Sequence, residues 1–458
     1  MAGSAGRRWF GTDGIRGRVG KEPMTPNFVA ALGQAAGKFF FKKNPKGKIL
    51  VARDTRESGP VLEAALISGI RSTGLEVESV GVMPSGAAAM VGKEKGACGV
   101  AVLSASHNPA TDNGVKFFGA DGGKLADSEE EAIEALLEER HPPTIPHGQT
   151  VEKGFSCPPE ALDLYRNRLK AAFGGKLSLR GLKIVVDAAN GAAWFTTPEI
   201  LRELGAEVEV IAAEPNGKNI NEGCGSEHPE KLIEEVKKRS GWIGVAHDGD
   251  ADRLVLIDEE GGKVDGDEVI AMAALDALER GKLPGNAVVV TVMSNLGLDE
   301  AVTARGGRVI RTPVGDRYVS EAMRKGGFVL GGEQSGHLLF FDASPAGDGL
   351  LSALKILDLV VRKKTRLGEL RKKMKRYPQE LTNLRVRHKP AWETLEPVAR
   401  AVREMEAFLG KKGRILLRYS GTENLVRLLV EADEKDKIQK IQEKLLPILE
   451  EHLGESKR

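Results

Sequence analysis

Cysteine and net charge are both scarce in this chain. Cys98, Cys157 and Cys224 are the only cysteines in 458 residues. They fall in no metal-binding spacing, and an odd number argues against a disulfide framework. Lys and Arg total 67 against 65 Asp and Glu, a formal charge of +2. Bulk electrostatics therefore give no reason to expect a nucleic-acid partner or an anionic membrane surface. No apolar run reaches membrane-spanning length, and no charged-then-apolar leader opens the sequence. The expectation is a soluble protein of a reducing cytoplasm. Hydrophobic residues at 41% suffice for ordinary globular packing. The length suggests about three domains.

Glycine, in contrast, is plentiful. The 55 glycines amount to about 12% of the chain against a usual ~7%, without a collagen period. Many sit beside Ser, Thr, Asp and Arg, as expected where backbone N–H groups approach a ligand. The most informative of these regions is LSASHNPATDNGVKFF, 103–118. The preceding GACGVAVL reads as a short buried strand, so Ser106 falls at a strand exit, where open α/β sheets place their ligands. No glycines flank the serine as in an esterase elbow. Adjacent Ser106 and His107 on an extended segment would point to opposite sides. A polar loop after a strand would read the same way on this segment alone.

HDGDADR, 247–253, is the second signal. Asp248, Asp250 and Asp252 alternate with small residues, and on an extended backbone they would share one side. Three adjacent carboxylates repel one another unless a cation neutralises them, and hard oxygen ligands suit Mg²⁺ better than zinc. The flanking WIGVAHD and LVLID are apolar, which disfavours a solvated acidic turn. Glu259 falls at the twelfth position of an EF-hand loop, but Arg253 occupies the sixth, where glycine is needed.

Three further segments carry chemistry. WFGTDGIRGRVG sets glycines around Arg16, a weak anion-binding signal. GGEQSGH, 331–337, offers Glu333, Ser335 and His337, suited to hydrogen-bonding a polyol and supplying an imidazole for proton transfer, or forming a tight polar turn. RYSGTENLVR, 418–427, flanks Ser420, Gly421 and Thr422 with Arg418 and Arg427, a phosphate cradle by charge and backbone donors.

Residues 48–82, 183–213 and 286–314 each read strand, polar turn, helix, glycine, strand. Such βαβ units favour parallel pairing, and copies more than a hundred residues apart suggest three duplicated α/β domains rather than a solenoid. The Pro-rich HPPTIPHGQT, 141–150, reads as a break. The expected bounds are 1–155, 156–258, 259–369 and a shorter 370–458. The last holds an exposed helix, PVARAVREMEAFLG, a hairpin-like pair, and a final amphipathic helix interrupted by Pro447. A candidate nucleophile, a triple-carboxylate metal site, a polyol loop and a phosphate cradle, one per inferred domain, fit phosphoryl transfer on a phosphorylated sugar at a multidomain cleft.

FGTDGIRG, SASHNPATDNGVKFF, DGDADR, GGEQSGH and RYSGTENLVR occur in the order found in the α-D-phosphohexomutases, which the chain resembles over nearly its whole length. EPNGKNINEGCGSEHPE, TVMSNLGL and PVGDRYV resemble the glucosamine branch. The resemblance implies an α/β fold of three duplicated domains with mixed sheets around a central cleft, plus a smaller C-terminal α+β domain of the TATA-box-binding kind. It implies a phosphoserine at Ser106 and Mg²⁺ on Asp248, Asp250, Asp252 and that phosphate. Arg16, Lys116, Arg253 and His337 match charged catalytic neighbours; Glu333 and Ser335 match sugar-hydroxyl readers. Arg418, Ser420, Gly421, Thr422 and Arg427 match the phosphate loop, with Tyr419 and Asn424 replacing two prolines common in that loop.

The reaction implied is conversion of glucosamine 6-phosphate to glucosamine 1-phosphate through glucosamine 1,6-bisphosphate, which turns end for end between two transfers. That chemistry would feed amino-sugar nucleotide (UDP-N-acetylglucosamine) and cell-wall precursor synthesis. A phosphorylated amino sugar would be the substrate, with no nucleic-acid or membrane partner, and a homodimer is compatible. The rivals are a phosphomannomutase or phosphoglucomutase, a non-catalytic sugar-phosphate sensor, and a metal-dependent phosphatase. Gln334 leans toward glucosamine, and retention of the serine, the aspartates and His337 argues against a sensor.

Overall fold

The computed structural model describes residues 8–138, 154–420 and 424–455. The 141–150 break therefore lies outside the described residues, as do Gly421 and Thr422. The described residues form two compact units, the larger drawn from 8–293 and 305–373 and the smaller from 294–304 and 374–455.

The larger unit contains three mixed sheets. The first comprises β1 (Ile15–Arg18), β2 (Lys48–Arg53), β3 (Glu76–Val82), β4 (Gly99–Leu103) and β5 (Asp112–Gly119), in the order β1-β5-β4-β2-β3. β2 pairs parallel with β3 and β4, while β5 is antiparallel to β4 and β1. The helix Gly59–Arg71 makes the β2–β3 crossover. Every residue of β4 is buried, as expected for a strand covered on both faces.

The second sheet comprises β6 (Lys183–Asp187), β7 (Glu207–Ile211), β8 (Ile243–Ala246), β9 (Val255–Ile257) and β10 (Lys263–Val264), in the order β10-β9-β8-β6-β7. β10 lies past the residue-258 bound expected from sequence. The third holds β11 (Ala287–Thr291), β12 (Arg308–Thr312), β13 (Leu330–Gly332) and β14 (Leu338–Phe340), in the order β12-β11-β13-β14. The expected pairs β2/β3, β6/β7 and β11/β12 are all parallel.

Apolar residues explain both the sheets and their covers. The helix Pro26–Lys43 starts at Thr25, whose hydroxyl accepts from the Phe28 amide, with Pro26 at the first helical position. Its buried Phe28, Val29, Leu32 and Phe40 join Ile49, Val51 and Leu103 in one core. Each fully buried Leu, Ile, Val or Phe side chain is worth about 1.5–3 kcal/mol.

The smaller unit has one antiparallel sheet, β15 (Gln379–Arg385), β16 (Gly413–Tyr419) and β17 (Leu425–Ala432), ordered β15-β17-β16. The helices Glu396–Leu409 and Lys435–Leu453 supply buried Val398, Val402, Ile441, Leu445 and Leu449 to its core. Two expectations change here. The helix Glu396–Leu409 is not simply exposed, since one face is buried. The last helix also runs through Pro447 without interruption. Proline removes one backbone donor, and buried Leu445, Leu449 and Leu453 hold both sides of it on the same core.

Candidate active site

Ser106 follows β4 in the left-handed region, at φ 52°. An L-residue stays there only when its surroundings over-determine it. The Ser106 amide donates to the Ser104 hydroxyl at 2.9 Å. The Ser106 hydroxyl is buried and donates to Asp248 Oδ2. It also lies 3.3 Å from His107 Nδ1. The extended geometry that would separate Ser106 from His107 is not what forms.

The aspartates converge by a different route from the expected one. They lie in a turn between antiparallel β8 and β9, with Ala251 at φ 55°. Strand alternation is therefore not what aligns them. All three are buried, and one oxygen from each falls within 4.8 Å of the others. Asp250 Oδ1 is buried and has no hydrogen-bond donor, while Oδ2 of the same residue accepts from the Ser85 hydroxyl. Among the described residues Asp252 Oδ1 is likewise buried without a hydrogen bond, and three buried hard-oxygen donors with such oxygens fit a divalent cation such as Mg²⁺.

Cations from several elements balance these acids. Lys116, on β5, pairs with Asp250 at 2.5 Å, with Asp252 at 3.0 Å and with Asp13 at 3.5 Å. His337 sets Nδ1 3.5 Å from Asp252 and Nε2 3.2 Å from Asp316. Arg16 pairs with Asp13, and Lys124 bridges Asp13 and Asp316. Arg253 pairs with Glu227 at 2.6 Å, and its amide donates to Asp248 Oδ1 at 3.2 Å.

Titration follows from these contacts. Burial alone raises the Asp13 carboxyl, but Lys116, Lys124 and Arg16 outweigh it and hold the group well below its usual range. Burial likewise works against Asp252, yet Lys116 and His337 keep it ionised. Asp248 goes the other way: burial, with Asp252 and Asp250 beside it, pushes it to about 7. Burial depresses the Lys116 ammonium, but Asp13, Asp250 and Asp252 hold it well above its usual range. Burial also depresses His337, and Asp252 and Asp316 more than reverse this, to about 9.

The GGEQSGH segment is fixed against the aspartate turn. Leu254 donates to Gly336 O at 3.0 Å, and Arg253 and His337 form an antiparallel bridge. Glu333 is half-buried and accepts from the Gly315 amide at 3.1 Å, while burial and Asp316 raise its carboxyl. Ser335 is exposed. Thus Ser106, Arg16, Lys116, Asp248, Asp250, Asp252, Arg253, Glu333 and His337 belong to one region. Asp13, Lys124, Asp316 and Ser85 were not singled out from sequence. Each of the three charged ones stands beside a glycine, as TDG, GGK or GDR, and that adjacency was the available signal.

In the smaller unit, Arg418 on β16 stands directly opposite Arg427 on β17. Burial and the Arg427 charge press the Arg418 guanidinium below its usual range. Among the described residues Arg418 Nε is buried without a hydrogen-bond partner. Ser420 is buried, its amide donating to Leu425 O at 2.8 Å and its carbonyl accepting from Lys389 Nζ at 2.8 Å.

Comparison with known proteins places this arrangement. Four family models match in order: phosphoglucomutase/phosphomannomutase alpha/beta/alpha domain I at residues 7–143, domain II at 163–262, domain III at 265–377 and the C-terminal domain at 381–448. The phosphoglucosamine mutase of Syntrophotalea carbinolica is 44% identical, over 98% of both chains. That of Pelobacter propionicus is 45% identical, over 98% of this chain and 99% of that one. Among solved structures, a phosphoglucomutase/phosphomannomutase family protein from Burkholderia thailandensis superposes with a TM-score of 0.77 at 24% identity, covering 96% of this chain and 97% of that one. Aspergillus fumigatus N-acetylphosphoglucosamine mutase, in complex with GlcNAc-6P and magnesium, gives 0.64 at 17% identity, over 97% and 96%. These two likenesses concern the fold. The full-length identities and the four consecutive models together make this chain a member of the phosphoglucomutase/phosphomannomutase family.

Proposed function

We propose that this chain is a cytoplasmic phosphoglucosamine mutase, interconverting glucosamine 6-phosphate and glucosamine 1-phosphate through phospho-Ser106 and glucosamine 1,6-bisphosphate. The observation that carries the reading is the buried Ser106 hydroxyl donating to Asp248 within a cluster of three carboxylates. Identities of 44–45% to phosphoglucosamine mutases over nearly the full length support the choice of sugar. The four-domain division goes with this reading, the second domain closing after β10 at Val264.

In the first transfer the Ser106 Oγ–P bond breaks and a bond forms from phosphorus to O1 of glucosamine 6-phosphate. The proton lost from O1 is matched by one taken up at Ser106 Oγ, so the serine leaves as its neutral hydroxyl. After the bisphosphate turns over, its O6–P bond breaks, phosphorus returns to Ser106 Oγ, and O6 takes a proton. Asp248, Asp250 and Asp252 would hold Mg²⁺, which neutralises phosphoserine charge and stabilises the leaving oxygen when bound. Lys116 and His337, both held protonated, are suited to donate hydrogen bonds to phosphoryl oxygens and to return a proton to the leaving oxygen. Arg16 and Arg253 add positive charge for the same group. Glu333 and Ser335 are the proposed readers of sugar hydroxyls. Arg418, Ser420, Gly421, Thr422 and Arg427 are the proposed cradle for the phosphate not being transferred.

Peptide mapping of active protein should find one added phosphate on the peptide containing Ser106. Turnover should be greater with glucosamine 6-phosphate than with mannose or glucose 6-phosphate. Phosphate on another residue would remove the mechanism, and preference for mannose or glucose phosphate would reassign the substrate.

A further inference from the structure

The segment 214–226, EPNGKNINEGCGS, has so far no part in the chemistry, yet it reaches the serine loop. Asn221 Nδ2 donates to Ser106 O at 2.9 Å and to Asn108 O at 3.0 Å. Asn221 is itself fixed by its amide, which donates to Ala189 O at 2.9 Å. The same two carbonyls are held from the first sheet's side. Arg56 Nη2 donates to Ser106 O at 3.1 Å and to Asn108 O at 2.8 Å. Its Nη1 donates to Asp112 O at 2.9 Å and also to Pro109 O. Its Nε donates to Asp54 Oδ2 at 2.9 Å. A guanidinium has five N–H donors, and all five of Arg56 are used, four of them on carbonyls between residues 106 and 112.

The segment that carries Arg56 is also bonded to the chain around Asn221. Glu57, next to Arg56, donates its amide to Gly217 O at 2.8 Å, and the Thr55 hydroxyl donates to Asn190 O at 2.5 Å. Gly249 of the aspartate turn lies so close that a Cβ there would stand 2.6 Å from Ser106 O and 2.9 Å from Asn221 Nδ2.

We infer that Asn221 and Arg56 are positioning residues for phosphoryl transfer: by sharing the carbonyls of Ser106 and Asn108 they hold the serine in its left-handed conformation, with its hydroxyl on the aspartate turn. The inference deepens the phosphoserine reading and rests on it. Both groups act through the backbone of the loop. A conformation that costs about 1–3 kcal/mol in isolation persists because the donors over-determine it. Loosening it displaces the nucleophile, and a displacement of about 1 Å can cost on the order of a hundredfold in rate.

Asn221 is half-buried, so Asn221→Ala tests the idea with less risk to folding than a change at fully buried Arg56. The expected result is a kcat lower by about ten- to a hundredfold, with KM for glucosamine 6-phosphate within about twofold. Asn221→Asp keeps the size but donates nothing to a carbonyl, so it should behave like Ala; recovery by Asp would mean that packing, not donation, is what matters, and would overturn the proposal. Amide hydrogen exchange of the peptide 104–112 should quicken by about tenfold or more in both variants while exchange in β6 stays as in the parent. Unchanged exchange, or a kcat within twofold of the parent, would also overturn it. If the parent itself lacks phosphoserine and turnover, the phosphoserine reading fails, whereas the exchange comparison still decides whether Asn221 holds the loop.

Discussion

The cluster around Ser106 and the arginine pair on the C-terminal sheet handle charge in opposite ways. Around Ser106, Asp13, Asp248, Asp250, Asp252 and Asp316 meet Lys116, Lys124, His337, Arg16 and Arg253, so buried charges of each sign have partners of the other. On the C-terminal sheet two guanidinium groups face each other across an antiparallel pair, and burial and the Arg427 charge press Arg418 below its usual range. The first region is internally compensated. The second sets two like charges opposite each other on neighbouring strands. The difference suits a site that transfers a phosphoryl group and a site that only holds one, since pre-arranged charge lowers a barrier whereas neighbouring guanidinium groups offer an anion charge-assisted forks.

The widest separation comes from Ser106→Ala. Removing the nucleophile should lower turnover by on the order of 10³-fold or more. No phosphate should then appear on the peptide containing residue 106. Steady-state assays and intact mass check both, and near-normal turnover would end the contrast between the two regions.

The compensated region should also be costly to unbalance. Lys116 is buried among three carboxylates. In chelator-treated protein, Lys116→Met should lower unfolding free energy by roughly 3–5 kcal/mol, as removal of one partner from a buried cluster does. Denaturant titration measures it. Saturating Mg²⁺ should return part of the loss, because a divalent cation replaces the missing positive charge.

A pH series sharpens the same point. The folded-state value for His337 is about 9, above its ordinary 6.5, because Asp252 and Asp316 outweigh the effect of burial. A histidine raised in this way contributes stability that is complete below about pH 6.5 and is lost as pH rises through about 9. The difference in stability between parent and His337→Asn, both chelator-treated, should shrink by up to about 3 kcal/mol over that window. A difference constant with pH would mean that folding does not raise the His337 imidazole above its ordinary value.

How far the sequence reached follows from the same chemistry. The three βαβ units were legible because continuous apolar runs alternate with glycine-marked turns. Ser106 and the aspartates were legible because each stands in a short contiguous motif between buried strands. The geometry that joins them was not. Strand alternation was expected to align Asp248, Asp250 and Asp252, but a turn with Ala251 at φ 55° does so. Asp13, Lys124 and Asp316 escaped notice because their pairing depends on chain segments more than a hundred residues apart. Pro447 was read as a break because local preference says so, and the buried leucines on either side overrode it.

The arginine pair supplies the smallest effects, and their sign is the most informative. Arg418→Ala should weaken binding of glucosamine 6-phosphate and the bisphosphate by roughly ten- to a hundredfold, the worth of a charge-assisted fork. Phosphate should still be found on Ser106. The same variant removes a like charge directly opposite Arg427, and cross-strand like charges cost about 0.2–1 kcal/mol. In anion-free buffer Arg418→Ala should therefore leave the protein equally stable or slightly more stable, whereas Lys116→Met destabilises it. Adding inorganic phosphate should raise the melting temperature of the parent more than that of Arg418→Ala, because ligand binding stabilises the folded state in proportion to ln(1 + [L]/Kd). If Arg418→Ala is instead clearly destabilised without anion, Arg418 is a structural contact of the sheet rather than a holder of phosphate.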